Sequence, residues 1–213
     1  MLEQDMLRNR FDEMYFIIWD LETESLNLGY NLPWELGFQI NKGHQLIKKV
    51  QHYIKWPNNE CKVSKDAARI TGYNHQLVMD TGKDPGVVLD ELNSYLYNSQ
   101  YYSIGTNILC FDALVHNYWR NKLGYDTDYS WLERLFDTHL LSKAYKLQLT
   151  RPPDESFLIW QFKLSTIIQK GLKTGIAAMT KELEIPYDAH HQASEDVKMS
   201  FEIFKKLIWK MEI

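Results

Sequence analysis

The sequence has no apolar run long enough to cross a membrane, and it has little cysteine. A membrane-spanning helix needs about 18 or more successive apolar residues, and no run in the chain approaches this length. Its two cysteines, Cys61 and Cys110, lack the spacing of a metal or redox motif and fit a reducing compartment. Residues 1–14 are polar and charged, without the apolar core of a signal peptide. These absences predict a cytoplasmic protein that binds no membrane.

The chain also lacks an excess of positive charge. Its 24 Lys and Arg residues are outnumbered by 28 Asp and Glu residues, which gives a formal net charge of −4. Tight, sequence-independent wrapping of a long duplex needs many basic side chains against the phosphates. The net charge therefore argues against that class of function, whereas it does not exclude brief binding of a strand end. Because 213 residues suffice for one well-buried core, we predict one domain over residues 1–213.

An apolar segment that ends in two carboxylates organises the chain. Residues 15–19 are apolar, and Asp20 and Glu22 follow them. The run is too short for a helix and predicts a buried strand, on which residues two apart point to the same face. The two carboxylates would repel each other unless a cation lay between them, and Mg²⁺ or Mn²⁺ prefers such oxygen ligands. A solvated strand end with a chance Asp-x-Glu pair remains the alternative.

The remaining chain predicts a mixed α/β fold. Alternating apolar and polar residues on either side of an Asn-Lys-Gly turn predict an antiparallel hairpin. Strands come first and helices later interleave with a strand, which favours a mixed sheet flanked by helices. The predicted strands are 15–23, 34–40, 45–54 and 101–104; the predicted helices are 65–70, 85–97, 111–124, 131–145, 157–172, 176–183 and 195–211.

Asp112 is a second candidate for the carboxylate site. It follows the strand predicted at 101–104 and stands where a helix begins. Ligand sites in α/β sheets collect at the carboxyl ends of strands, so Asp112 could lie beside Asp20 if the two strands are neighbours. Asp is also a favoured helix N-cap, and this interpretation stays open.

Residues 190–197, which read His-His-Gln-Ala-Ser-Glu-Asp-Val, form the last candidate. Ser194 or Asp196 could simply cap the final helix. The adjacent histidines could belong to a solvated loop or, less readily, to a zinc site, since neither cysteine is close in sequence. Alternatively, His191 and Asp196 are a base and a metal ligand that face one cavity.

Taken in order, three segments resemble the three exonuclease motifs of the DnaQ-like 3′–5′ exonucleases. The third motif of the DEDDh subgroup, which is named for four acids and a histidine, reads His-x-Ala-x-x-Asp and is matched by His191, Ala193 and Asp196. In the related tyrosine subgroup an aromatic residue occupies the position that Gln192 has in this chain, so the histidine subgroup is the better match. The three segments are residues 20–23, 107–112 and 191–196.

The connecting chain extends the resemblance to about residues 15–147 and 176–207. Residues 35–37, 70–73 and 137–138 match intervening family elements. The chain departs from the family in having Glu-Ser after residues 20–23, where many members have Thr-Gly. It departs again in placing Asp112 five residues after Asn107 rather than four. The segment at about 149–175 is longer than the family core and is predicted to be a family-specific insertion.

The resemblance implies a ribonuclease-H-like fold, with a five-stranded mixed sheet flanked by helices on both sides. It implies hydrolysis of single-stranded DNA or RNA from the 3′ end, releasing nucleoside 5′-monophosphates with two divalent cations, Mg²⁺ or Mn²⁺. Asp20 would bridge both ions, Glu22 and Asp196 would complete the site of the attacking water, and Asp112 would hold the second ion. His191 would be the general base.

The resemblance also implies contacts to the nucleic acid. The backbone near Thr23 would meet the terminal 3′-hydroxyl, Leu26 would pack on the last base, and Asn107 is a further candidate. An oligoribonuclease-like or RNA-maturing 3′–5′ exoribonuclease remains an alternative, and a non-catalytic, polymerase-associated nucleic-acid-binding module is one from another class. The expected partner is the 3′ end of single-stranded DNA, RNA or both. The chain that binds it is a monomer or a homodimer, and both alternatives stay open.

Overall fold

A five-stranded mixed sheet forms the centre of the computed structural model, which describes residues 4–187 and 193–211. The strands are β1 Tyr15–Thr23, β2 Pro33–Lys42, β3 Gln45–Tyr53, β4 Tyr101–Gly105 and β5 Leu135–Asp137. They lie in the order β3-β2-β1-β4-β5. β1 pairs antiparallel with β2 and parallel with β4; β2 and β3 form an antiparallel hairpin, and β5 extends the parallel side. The predicted α/β class and the hairpin are confirmed.

Helices flank this sheet, and several begin and end where the sequence signals predict. The Ser64 hydroxyl caps the helix Lys65–Thr71 by accepting a hydrogen bond from the Ala67 N–H, and Gly72 ends that helix in the left-handed conformation. None of the helices in the described part of the chain is both long and apolar enough to span a membrane. The helices are α1 Gln4–Asn9, α2 Lys65–Thr71, α3 His75–Thr81, α4 Pro85–Leu96, α5 Asp112–Lys122, α6 Thr138–Leu147, α7 Phe157–Thr166, α8 Ile176–Glu182 and α9 Ala193–Lys210.

The prediction of one helix over residues 131–145 is wrong. A short 3₁₀ segment, Ser130–Arg134, leads into β5, and α6 begins only at Thr138. Asp137 causes the break because its carboxylate accepts hydrogen bonds from the His139 and Leu140 N–H groups as an N-cap. Leu135 is fully buried beside β4, so tertiary burial overrides the helical pattern here.

The edge strand β5 is covered by α7, which lies in the segment predicted to be an insertion. The fully buried Gln161 accepts a hydrogen bond from the Asp137 N–H at 2.8 Å and donates one to the Leu135 carbonyl at 2.9 Å. The amide thereby satisfies backbone groups that an open sheet edge would leave unpaired. α7 ends at Thr166 rather than at the predicted residue 172.

The long helix α9 packs across β1 and β2, where its aromatic face meets the core. Phe204 is fully buried and its ring centroid lies 5.8 Å from that of Phe16 on β1. At the start of α9 the helix approaches β2 so closely that a Cβ on Gly37 would lie 2.8 Å from the backbone carbonyl carbon of Ala193. The missing side chain at Gly37 thus lets the first turn of α9 lie directly on the sheet.

Candidate active site

Three carboxylates from distant parts of the sequence meet at the carboxyl end of β1. Asp20 and Glu22 project from β1 onto one face, as strand alternation dictates. Asp196 lies in the first turn of α9, which rests on that face. Each of these residues offers an oxygen, and the three oxygens lie within 4.8 Å of one another.

Asp112 joins the same end of the sheet by a different route. It is the first residue of α5, follows the N-cap position held by Phe111, and is 3% exposed. Its Oδ1 accepts a hydrogen bond of 3.2 Å from the N–H of Leu21, which lies between Asp20 and Glu22 on β1. Asp112 is therefore tied to the strand that carries the other carboxylates, although it stands outside the group of three.

Burial and neighbouring acids raise the proton affinity of Asp20 and Glu22. Burial is the largest cause that raises the pKa of Asp20 well above its usual value, and the charge of Asp112 is the next, followed by Glu22 and Asp196. Burial also raises the pKa of Glu22 to about 8, assisted by the charges of Glu35 and Asp196. Carboxylates in this arrangement need protons or a cation between them. Because the donors are all carboxylate oxygens, the cluster fits a hard divalent cation.

Glu35 is an acid beside the cluster that the sequence analysis did not nominate. It lies directly opposite Glu22 in the β1–β2 register and is 4% exposed. Its Oε1 accepts a hydrogen bond of 2.8 Å from the Nε2 of Gln51 on β3. In the sequence, Glu35 is marked by being the single acid within the mostly apolar run of residues 32–38. Its position beside Glu22 depends on the strand register and could not be predicted from that run.

Asp137 is a second residue that the sequence analysis left without a role in the site. Its buried carboxylate accepts hydrogen bonds of 3.0 Å from the backbone N–H groups of both Asn107 and Leu109. These contacts hold the turn between β4 and α5, in which Asn107 has a φ of 64°. In the sequence, the feature that marks Asp137 is the Asp-Thr pair at residues 137–138, which matches a family element.

The candidates for nucleic-acid contact lie in different environments. Thr23 is buried and donates its hydroxyl hydrogen to the Ser25 carbonyl at 2.7 Å, so its side chain serves the following loop. Leu26 is 87% exposed on that loop, and Asn107 lies in the turn held by Asp137. The predicted base, His191, lies outside the described residues, as does the whole of 188–192.

Comparison with known proteins gives a family and a set of similar folds. The family model RNase_T, described as Exonuclease, matches residues 17–204, which is most of the chain. This confirms the predicted family. A search of curated proteins gave no match.

Among solved structures, the chain is similar to E. coli Exonuclease I in complex with a dT13 oligonucleotide, with 20% identity and a TM-score of 0.69 over 92% of this chain and 41% of that one. It is also similar to the zinc-ion-bound form of the E. coli ExoI–ssDNA complex, with 19% identity and a TM-score of 0.72 over 92% and 40%. A third neighbour is an ExoI/SSB-Ct complex, with 17% identity and a TM-score of 0.72 over 93% and 42%.

These neighbours share the fold, and the five-stranded mixed sheet flanked by helices is the ribonuclease-H-like arrangement that the sequence predicts. The chain spans about two fifths of the length of the structures it matches.

Proposed function

Because the chain belongs to the RNase_T exonuclease family, we propose that it is a metal-dependent 3′–5′ exonuclease that releases nucleoside 5′-monophosphates from single-stranded DNA. The observation that carries the proposal is the meeting of Asp20, Glu22 and Asp196 within 4.8 Å at the end of β1. Single-stranded DNA is the favoured substrate because the similar E. coli exonuclease is seen with bound oligonucleotides.

Two divalent cations, Mg²⁺ or Mn²⁺, are the proposed cofactors. Asp20, Glu22 and Asp196 would hold one, and Asp20 and Asp112 would hold the other. When bound, such ions supply an activated water and offset the charge that develops on the leaving oxygen. The zinc-bound form of the similar E. coli enzyme supports a divalent-cation site.

The protein groups themselves hold the site in shape and move the proton. The Leu21 N–H fixes one carboxylate oxygen of Asp112, so that its position is set by the backbone of β1. His191 is proposed to accept a proton from the attacking water, because an imidazole titrates near neutral pH. His191→Ala is expected to lower turnover about 10²–10⁴-fold and to leave metal affinity unchanged.

The proposed seat for the terminal nucleotide lies next to the carboxylates. The backbone at Thr23 continues β1 beyond Glu22 and would meet the 3′-hydroxyl. The exposed side chain of Leu26 offers an apolar surface to the last base, and Asn107 would approach from the turn that Asp137 holds.

The proposal is tested with 5′-labelled single-stranded DNA and matched RNA, each with a free 3′-hydroxyl or a 3′-phosphate. We expect stepwise shortening of the free DNA end with Mg²⁺ or Mn²⁺, resistance of the blocked end, and loss of activity in EDTA. Asp20→Ala should be inactive, whereas Asp66→Ala, which removes a carboxylate that is 91% exposed on α2, should act like the wild type.

Activity that survives EDTA or Asp20→Ala would refute the metal-dependent mechanism. Faster shortening of the RNA, above all of short oligomers in a length series, would support the exoribonuclease alternative. Binding of the oligonucleotides without any shortening would support the alternative of a non-catalytic nucleic-acid-binding module.

A further inference from the structure

The fold places two acids directly opposite each other across β1 and β2. Glu22 and Glu35 are Cα partners in the antiparallel register, so their side chains lie on the same face. Like charges at directly opposed positions of neighbouring strands destabilise a sheet. The arrangement is therefore costly in the metal-free protein and calls for a compensating positive charge at this end of β1.

Glu35 is held in this costly position rather than turned to solvent. It is 4% exposed, and in the described part of the chain its hydrogen-bond partner is the neutral amide of Gln51. The Gln51 amide also lies 3.3 Å from the Tyr53 hydroxyl, which anchors it on β3. The contact fixes the direction of the Glu35 carboxylate without neutralising it. Glu35 is thus held buried beside Glu22, on the face of the sheet that carries the cluster.

The strand register sets the distance over which Glu35 acts. Directly opposed residues of an antiparallel pair have Cβ atoms about 4.5–5.5 Å apart, so a charge on Glu35 lies close to the Glu22 side chain. A negative charge at this distance favours a cation bound by Glu22 through the Coulomb interaction.

We propose that Glu35 is a positioning residue for the carboxylate cluster. Its fixed negative charge increases the affinity for a divalent cation, and its repulsion keeps the Glu22 carboxylate turned towards that cation. This inference rests on the proposed function, because it assumes that the cluster of Asp20, Glu22 and Asp196 binds metal.

The test measures Mn²⁺ affinity by isothermal titration calorimetry at pH 8.5, together with the thermal midpoint in EDTA. Glu35→Gln keeps the size and the acceptor oxygen but removes the charge. We expect it to weaken Mn²⁺ binding about tenfold and to raise the midpoint of the metal-free protein. Saturating Mn²⁺ should restore its kcat, because the charge acts through the affinity for the ion.

Two further substitutions keep the test independent of how well Glu35→Gln folds. Glu35→Asp retains the charge and should bind Mn²⁺ within about threefold of the wild type. Gln51→Lys, at an exposed position, places a cation beside Glu35 and should weaken Mn²⁺ binding without removing a carboxylate.

Glu13→Gln is the matched control, because it removes the same charge from a side chain that is 71% exposed before β1 begins. The strand from Tyr15 to Glu22 alone spans roughly 23 Å at about 3.3 Å per residue, which is well beyond the screening length of about 8 Å in physiological salt. It should bind Mn²⁺ like the wild type.

The outcomes separate this inference from the proposed function. Equal Mn²⁺ affinity for the wild type, Glu35→Gln and Gln51→Lys would overturn the role of Glu35 alone. A lowered thermal midpoint of metal-free Glu35→Gln would also overturn it, by assigning Glu35 a purely structural role. No Mn²⁺ binding by the wild type would overturn the proposed metal site, and this inference with it.

Discussion

His116 is a buried imidazole in α5 whose neutral form is built into the core. Its ring Nε2 lies 2.9 Å from the Oδ1 of Asn93, and because an amide oxygen only accepts, Nε2 must carry a hydrogen. The ring also meets the edges or faces of Trp19 and Trp131 at centroid distances of 6.0 and 5.8 Å. Burial, and secondarily the charge of Arg120, lower the pKa of His116 to about 3.

This shift predicts a specific loss of stability in acid. The unfolded chain binds a proton on His116 near pH 6.5, whereas the folded protein does not until about pH 3. The stabilising contribution is therefore fully present above pH 6.5 and is lost as the pH falls towards 3, by about 1.4 kcal/mol per pH unit. His116→Gln, which keeps a donor for Asn93, should remove this slope.

Urea unfolding of both proteins between about pH 5 and pH 7 checks the prediction. The other titrating groups are common to the two chains, so the difference in unfolding free energy isolates His116. Parallel curves would mean that the imidazole takes up a proton in the folded state.

The contact between β2 and α9 is the element that decides where Asp196 lies. A Cβ on Gly37 would come within 2.9 Å of the Ala193 Cβ and closer still to the Ala193 backbone, so the helix would have to move. We expect Gly37→Ala to destabilise the fold by about 1–3 kcal/mol. It should also weaken Mn²⁺ binding, because Asp196 follows Ala193 by one turn.

Urea unfolding and calorimetric Mn²⁺ titration measure the two effects of Gly37→Ala. Gly175→Ala is the matched control, because a Cβ there meets no atom within 4 Å and the residue has an ordinary negative φ. A Gly37→Ala protein with wild-type metal affinity would show that the start of α9 adjusts without moving Asp196.

The elements also show how far local sequence signals reach. The apolar run of β1, the Asn-Lys-Gly sequence at the end of β2 and the Ser64 cap each act over a few residues, and the structure places strand, hairpin and helix as these signals predict. β5 escaped prediction because its three residues are too few to show a period. Its strand state depends on pairing with β4 and on Gln161 from α7.

The sequence identifies candidate acids for the site, whereas their positions relative to one another become known only from the tertiary structure. The strand period explains why Asp20 and Glu22 share a face. It does not reveal that Glu35 lies opposite Glu22, since the register of β1 and β2 depends on the loop that joins them and on the bulge next to Glu22. The sequence also did not show that the Asp112 carboxylate accepts a hydrogen bond from the Leu21 N–H instead of capping its own helix.

At the scale of the whole molecule, the chain folds around a group of acids that repel one another. The acids come from β1, α5 and α9, so the native packing itself brings their charges together. Such a site favours function at the expense of stability whenever no cation is bound. The balance between the two should therefore depend on pH and on metal.

Asp20→Asn makes this dependence measurable. The pKa of Asp20 is raised in the folded protein, chiefly by burial and by Asp112, so the wild type loses stability as the pH rises through that pKa, whereas Asn does not titrate. In EDTA, we expect Asp20→Asn to be more stable than the wild type by about 1–3 kcal/mol at pH 8.5, with a smaller difference at pH 6.

Saturating Mg²⁺ should reverse the order of stability. The wild type gains about 2.7 kcal/mol at a hundredfold excess over its dissociation constant, while Asp20→Asn gains little because it has lost a ligand. Urea unfolding with and without Mg²⁺ at both pH values measures the effect, and Asp66→Asn, on a side chain that is 91% exposed, is the control that should follow the wild type. If metal-free Asp20→Asn were less stable than the wild type at every pH, the carboxylates would be stabilising the fold, and the argument from their repulsion would fail.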